Sequence, residues 1–123
     1  MISYDDFKKV EITVGKILSA EKIPDTDKLL KLSVDFAETA EVTREDGSKV
    51  TEFRPRQIVS GISTYFPDPS VLVGRTCMFV TNLEPRTIKG HESNGMLFAV
   101  STDSGAFSLL EPNSSIPPGT KAK

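Results

Sequence analysis

The chain of 123 residues has no tryptophan, one cysteine and one histidine, and each scarcity closes a route. A single cysteine cannot form an internal disulfide, and one cysteine with one histidine cannot build a structural zinc site. Cys77 lies inside the apolar run "TCMFVT" with only Arg75 nearby, so it reads as a small buried hydrophobe rather than a reactive thiol. His91, Glu92 and Ser93 contain the letters of a catalytic triad, but consecutive residues cannot face one another as nucleophile, base and orienter. No glycine-rich phosphate loop of either common spacing is present. A catalytic function is therefore not expected, and neither is a metal or other cofactor.

Long apolar runs are also missing. None approaches the roughly 18 residues that a membrane helix needs, and "MISYDDFKKV" lacks the layout of a signal peptide, so a cytoplasmic protein without membrane contacts is expected. The formal net charge is only −2, which argues against coating nucleic acid by bulk charge. A local basic patch remains open, because binding depends on where charges sit. The carboxylate pairs Asp25/Asp27 and Glu45/Asp46 fall in hydrophilic turns and read as solvated.

What is present is mostly strand. Ser3 followed by Asp6 predicts a capped short helix over about 4–9. Alternation from Val10 to Ile23 predicts one long strand, bent by a bulge near Gly15 and ended by the turn "PDTD". "LLKLSVDF" alternates cleanly, with Leu30, Leu32, Val34 and Phe36 on one face and Lys31, Ser33 and Asp35 on the other. Asp46-Gly47 marks the turn of an acidic hairpin within 38–52, and "RQIVS" follows as the next strand. A helical connection around 70–73 leads to strands at 75–82 and 95–101, a short last strand and a Pro-anchored tail. Several strands without a βαβ rhythm, and a helical link after the third, favour a five-stranded OB-fold barrel of all-β class over a sandwich. One domain is expected, with its core over 4–101 and a C-terminal β extension over 102–123.

Between two strand-like runs lies "NLEPRTIKGHESNGML". Arg86 and Lys89 offer cations, Asn82, Ser93 and Asn94 offer neutral polar groups, and Met96 offers a flexible thioether for a flat apolar face. Lys28 and Lys31 belong to the second strand and its entry, the part of an OB-fold where oligonucleotides usually lie. Cations there position phosphates, while amides, hydroxyls and apolar groups meet bases and 2′-hydroxyls. On the residues alone, a solvated loop with routine surface charge fits as well.

"FKKVEITVGKI", "DKLLKLSVDF", "RQIVSGI" and "LVGRTCMFVTNLEPRTIKGHESNGMLFA" together resemble the OB-fold tRNA-binding domain family. The resemblance runs from Tyr4 to about Ala99, and D-K-L-L, V-S-G-I, N-L-x-P-R and S-x-G-M in that order are specific only in combination. Members of this family are free-standing dimeric tRNA-binding proteins, or appendages and beta subunits of methionyl-tRNA synthetases. It implies a non-catalytic module that grips tRNA by shape, a homodimer, and a synthetase catalytic chain as a further partner. Carried over by position, the implied RNA contacts are Lys28, Lys31, Asn82, Pro85, Arg86, Lys89, Ser93 and Met96. Gly90 and Gly95 match positions of tight backbone.

Three departures predict weaker RNA binding than is usual in the family. Thr13 stands where arginine is usual, Glu84 where lysine is usual, and Thr87 where many relatives carry another basic residue. The acidic stretch 38–52 is longer than the usual short turn, and reads as a tolerated surface insertion or as an arm for docking a partner. The runner-up function is a dimeric peptide-binding chaperone of the secretion-associated type, which shares the barrel.

Overall fold

The computed structural model describes residues 1–123. Ser3 and Asp6 form the expected capping box, but the helix α1 stops at Tyr4–Phe7. Strand β1, Ile12–Lys22, pairs through its first half with β6, Thr76–Val80, and through its second with β2, Leu30–Asp35. Strand β2 pairs in turn with β5, Arg56–Ser60, while β6 pairs with β9, Met96–Leu97. The order β5-β2-β1-β6-β9 is antiparallel throughout. Its ends nearly meet where Asn94 N–H donates to the Gln57 carbonyl at 2.8 Å. The result is an almost closed barrel of OB type.

Strict alternation along β2 builds the core. Leu30, Leu32 and Val34 are fully buried against Ile17, Ile58 and Phe79, and Phe36 meets Phe79 edge-on with centroids 5.2 Å apart. Two 3₁₀ turns, η1 (Ser63–Tyr65) and η2 (Pro69–Leu72), form the helical connection before β6, and Leu72 of η2 is fully buried. Cys77 is fully buried too, and burial pushes its thiol up to about 11. It stays protonated at neutral pH, so it is a poor nucleophile.

The bulge in β1 is not at Gly15. Register against β2 shifts between Ile17 and Ser19, which leaves Leu18 as the extra residue. Gly15 serves the core instead: a Cβ there would lie 2.5 Å from Phe36 Cε1 and 2.7 Å from Val34 Cγ1.

Two antiparallel ribbons stand off the barrel. Strands β3 (Thr39–Thr43) and β4 (Lys49–Phe53) form the acidic hairpin, turning at Asp46-Gly47 as expected. Strands β7 (Arg86–Ile88) and β8 (His91–Ser93) form a small flap between β6 and β9. The predicted strand over 95–101 divides into β9 and β10, Ala99–Ser101, and β10 pairs with β11, Phe107–Leu109. The tail then returns to β1: Gly119 N–H donates to the Val14 carbonyl, and Ala122 N–H to that of Ile12, each at 2.8 Å. It covers the edge of β1 that β2 leaves bare. No helix is long and apolar enough to cross a membrane.

Candidate nucleic-acid interface

The outward side of β2 places Lys31 between Glu21 of β1 and Val59 of β5. Val59 faces away from the core yet is only 6% exposed. The flap explains this, because the Ser93 hydroxyl of β8 accepts the Val59 N–H at 3.0 Å and lays the ribbon over that face. Flap residues and Val59 enclose a slot of about 70 Å³ that Arg86, Ser93 and Met96 line, with Glu84 at the same slot.

At the tip, Lys89 and Gly90 are the two residues between Ile88 and His91, with φ of 51° and 82°. Both are left-handed, as a tight two-residue hairpin turn requires. The turn carries Lys89 to the β1–β2 connection, where Lys28 and Lys89 line one cleft of about 400 Å³ with Leu29 and Ile88 as its apolar part. Asp25 and Asp27 border the same cleft. Lys28, Arg86 and Lys89 have no carboxylate oxygen within 4.0 Å, whereas Lys31 reaches Glu21 at 3.7 Å. Three unpaired cations, one from the β1–β2 connection and two from the flap, thus lie close together on the barrel.

The remaining polar residues of the motif are engaged internally. Asn82 Oδ1 accepts the Glu11 N–H at 2.8 Å and its amide donates to the Lys9 carbonyl, tying the N-terminal segment to the base of the flap. Ser93 is 5% exposed, and its hydroxyl also donates to the Gly95 carbonyl at 3.1 Å. Their geometry holds the flap; Met96, beside the slot, is 46% exposed. Pro85 is exposed just before β7. His91 pairs with Ile88 to close the turn, while Glu92 and Ser93 alternate sides of the ribbon.

Thr13 does not stand at the surface. It is 2% exposed, and its hydroxyl meets that of Thr81 at 2.7 Å. Lys121 of the tail donates to the same hydroxyl at 3.1 Å and pairs with Glu11 at 3.2 Å. The expectation of a surface position at Thr13 is therefore corrected: the position is buried, and the returning tail brings to its hydroxyl an ammonium already paired with Glu11.

Arg56, not among the expected contact residues, is the most heavily bonded side chain beside the flap. Its guanidinium makes a two-point bond to Glu38, with Nε to Oε1 at 2.6 Å and Nη2 to Oε2 at 2.8 Å. Nη1 donates to the Thr81 carbonyl at 2.6 Å, with the Asn94 carbonyl at 3.5 Å. The guanidinium sits 5.4 Å from the Phe36 ring centroid. Hydrogen bonding to Arg56 holds the Glu38 carboxyl below its ordinary value. No local signal marks Arg56, since every partner is distant in sequence.

The arrangement sets unpaired cations beside a half-exposed Met96, which suits holding an anionic polymer. Residues 12–121 match the family described as "Putative tRNA binding domain". The methionine–tRNA ligase of Methanoregula boonei is 46% identical over 123 residues, covering 100% of this chain and 16% of that enzyme. The chain thus spans about a sixth of the length of such relatives. Among solved structures, a MetRS-related protein from Pyrococcus horikoshii is 34% identical with a TM-score of 0.81, covering 100% of this chain and 98% of that one. The chaperone CsaA of Bacillus anthracis is 25% identical with a TM-score of 0.75, covering 100% of this chain and 99% of that one. Fold, motif order and family match agree, and the chain belongs to the tRNA-binding domain family.

Proposed function

We propose that this chain is a non-catalytic module that holds tRNA by shape, working beside or within a methionyl-tRNA synthetase in the cytoplasm. The observation that carries this reading is the cleft shared by Lys28 and Lys89, two unpaired lysines from distant segments. Lys28, Lys31, Arg86 and Lys89 meet phosphates, and Met96 packs on a base or ribose. Asn82 and Ser93 hold the flap on which these contacts depend. Gel-shift titrations with tRNA at low and physiological salt test the reading. Wild type should retain tRNA at low salt and lose it as salt rises, and Arg86→Ala should bind more weakly. Negligible retention by both proteins at low salt would sink the proposal.

The module acts as a homodimer on this reading. Support comes from apolar surface on the C-terminal hairpin side, where Tyr65 stacks on Phe107 at 4.1 Å and Val100 is 52% exposed. Sedimentation at micromolar concentration should give twice the monomer mass, and a monomer would remove this part.

The same surface, with the likeness to a chaperone, favours a second reading as a peptide-binding chaperone. A light-scattering assay separates the two. Suppression of aggregation at stoichiometric amounts, without tRNA retention, selects the chaperone.

A further inference from the structure

We propose that Arg56 is the positioning residue of the RNA-gripping flap, a guanidinium staple across the neck through which the flap leaves and rejoins the barrel. This rests on the tRNA-binding reading of the same surface. The flap departs after Thr81 and returns at Asn94, and Arg56 Nη1 faces both of those carbonyls, at 2.6 and 3.5 Å. No other side chain bonds to both ends. Gln57 Nε2 holds only the returning strand, through the Glu92 carbonyl at 2.9 Å, and Asn82 holds only the departing one.

The staple is itself fixed in direction. Glu38 takes Nε and Nη2 of Arg56 in a planar two-point bond, and the Arg56 side chain is 20% exposed. A guanidinium has five N–H groups, and these contacts occupy most of them. A carboxylate also sits against it, so direct phosphate binding by Arg56 is disfavoured. It acts on RNA through the placement of Arg86 and Lys89. Glu38 lies just before the acidic hairpin, where its own carbonyl accepts the Arg54 N–H at 2.9 Å. The root of that hairpin and the neck of the flap therefore share one ionic joint.

A double-mutant cycle on tRNA affinity tests this, using Arg56→Gln alone and in an Arg86→Ala/Lys89→Ala background. Acting through the flap, Arg56→Gln lowers affinity about tenfold in the wild-type chain and less than about twofold in the background lacking the flap cations. Equal losses in both backgrounds mean that Arg56 touches RNA directly and overturn the proposal. Amide hydrogen exchange supplies the readout that general destabilisation does not mimic: exchange should quicken over residues 82–94 while β1 and β2 stay protected. Uniformly faster exchange, or wild-type affinity, also overturns it. Should Arg56→Gln fail to fold, Glu38→Gln serves in its place, because it keeps the arginine and removes its orienting charge. It should weaken tRNA binding in the same direction, and unchanged affinity would count against the staple. Wild type that binds no tRNA at all instead defeats the parent reading, so the two failures are distinguishable.

Discussion

Thr13 and Gly15 lie on the same strand and resist substitution for different reasons. At Gly15 there is no room: an added methyl would meet Phe36, Val34 and Phe79 at 2.5, 2.7 and 2.9 Å. Gly15→Ala should destabilise the barrel by about 1–3 kcal/mol, measured as a lower urea midpoint. At Thr13 the constraint is polar. Thr13→Val removes the partner of Thr81 and leaves the Lys121 ammonium with Glu11 alone, so a loss of about 1–2 kcal/mol is expected in the same assay. Neither role was legible locally. A glycine in an alternating strand suggests a bulge, but the actual bulge depends on pairing with β2, some fifteen residues onward. Glu84 lies at the same slot as Arg86, so on the tRNA-binding reading it opposes RNA. Glu84→Lys should strengthen tRNA binding and steepen its salt dependence by about one phosphate contact. An unchanged slope would remove Glu84 from the interface.

The flap shows what one element contributes. Its turn needs two left-handed residues, and asparagine or aspartate is the usual occupant of the first position. Lysine stands there at φ 51°, a conformation that costs a non-glycine residue energy. Lys89→Asn should therefore keep or raise stability while weakening tRNA binding and flattening its salt slope by about 0.7–0.9. A variant that binds as wild type would mean the tip does not reach RNA. The hairpin's joint to the barrel carries a pH signature. Arg56 depresses the Glu38 carboxyl below 4.5, its unperturbed value, so the ionised form is favoured by folding. That stability is fully present above about 4.5 and is lost as pH falls through the lower folded value. Urea midpoints should drop through this window more steeply in wild type than in Glu38→Gln. At this scale the barrel strands, the Asp46-Gly47 turn and the capped helix were readable, since each rests on period or turn chemistry within a few residues; the pairing of β7 with β8 inside the expected loop was not. The division of 95–101 into β9 and β10 was not, because it follows from which strands β6 and β11 leave available.

Over the whole molecule, charge placement decides more than net charge. The chain is slightly acidic, with a pI near 5.4, yet seven of its cations are tied to carboxylates and those of the flap and β1–β2 turn are not. An acidic protein can thus present a locally basic side, which is where a polyanion would settle. The barrel class was readable from strand count and the helical link, and motif order marked the family. The closure through Arg56 and the returning tail was hidden, because both join residues far apart in the chain. The most direct measurement is the slope of log affinity for tRNA against log salt, in wild type and in Lys28→Ala/Arg86→Ala/Lys89→Ala. Three lost phosphate contacts should flatten the slope by about 2–3 units. Equal slopes in the two proteins would contradict an interface built on these cations.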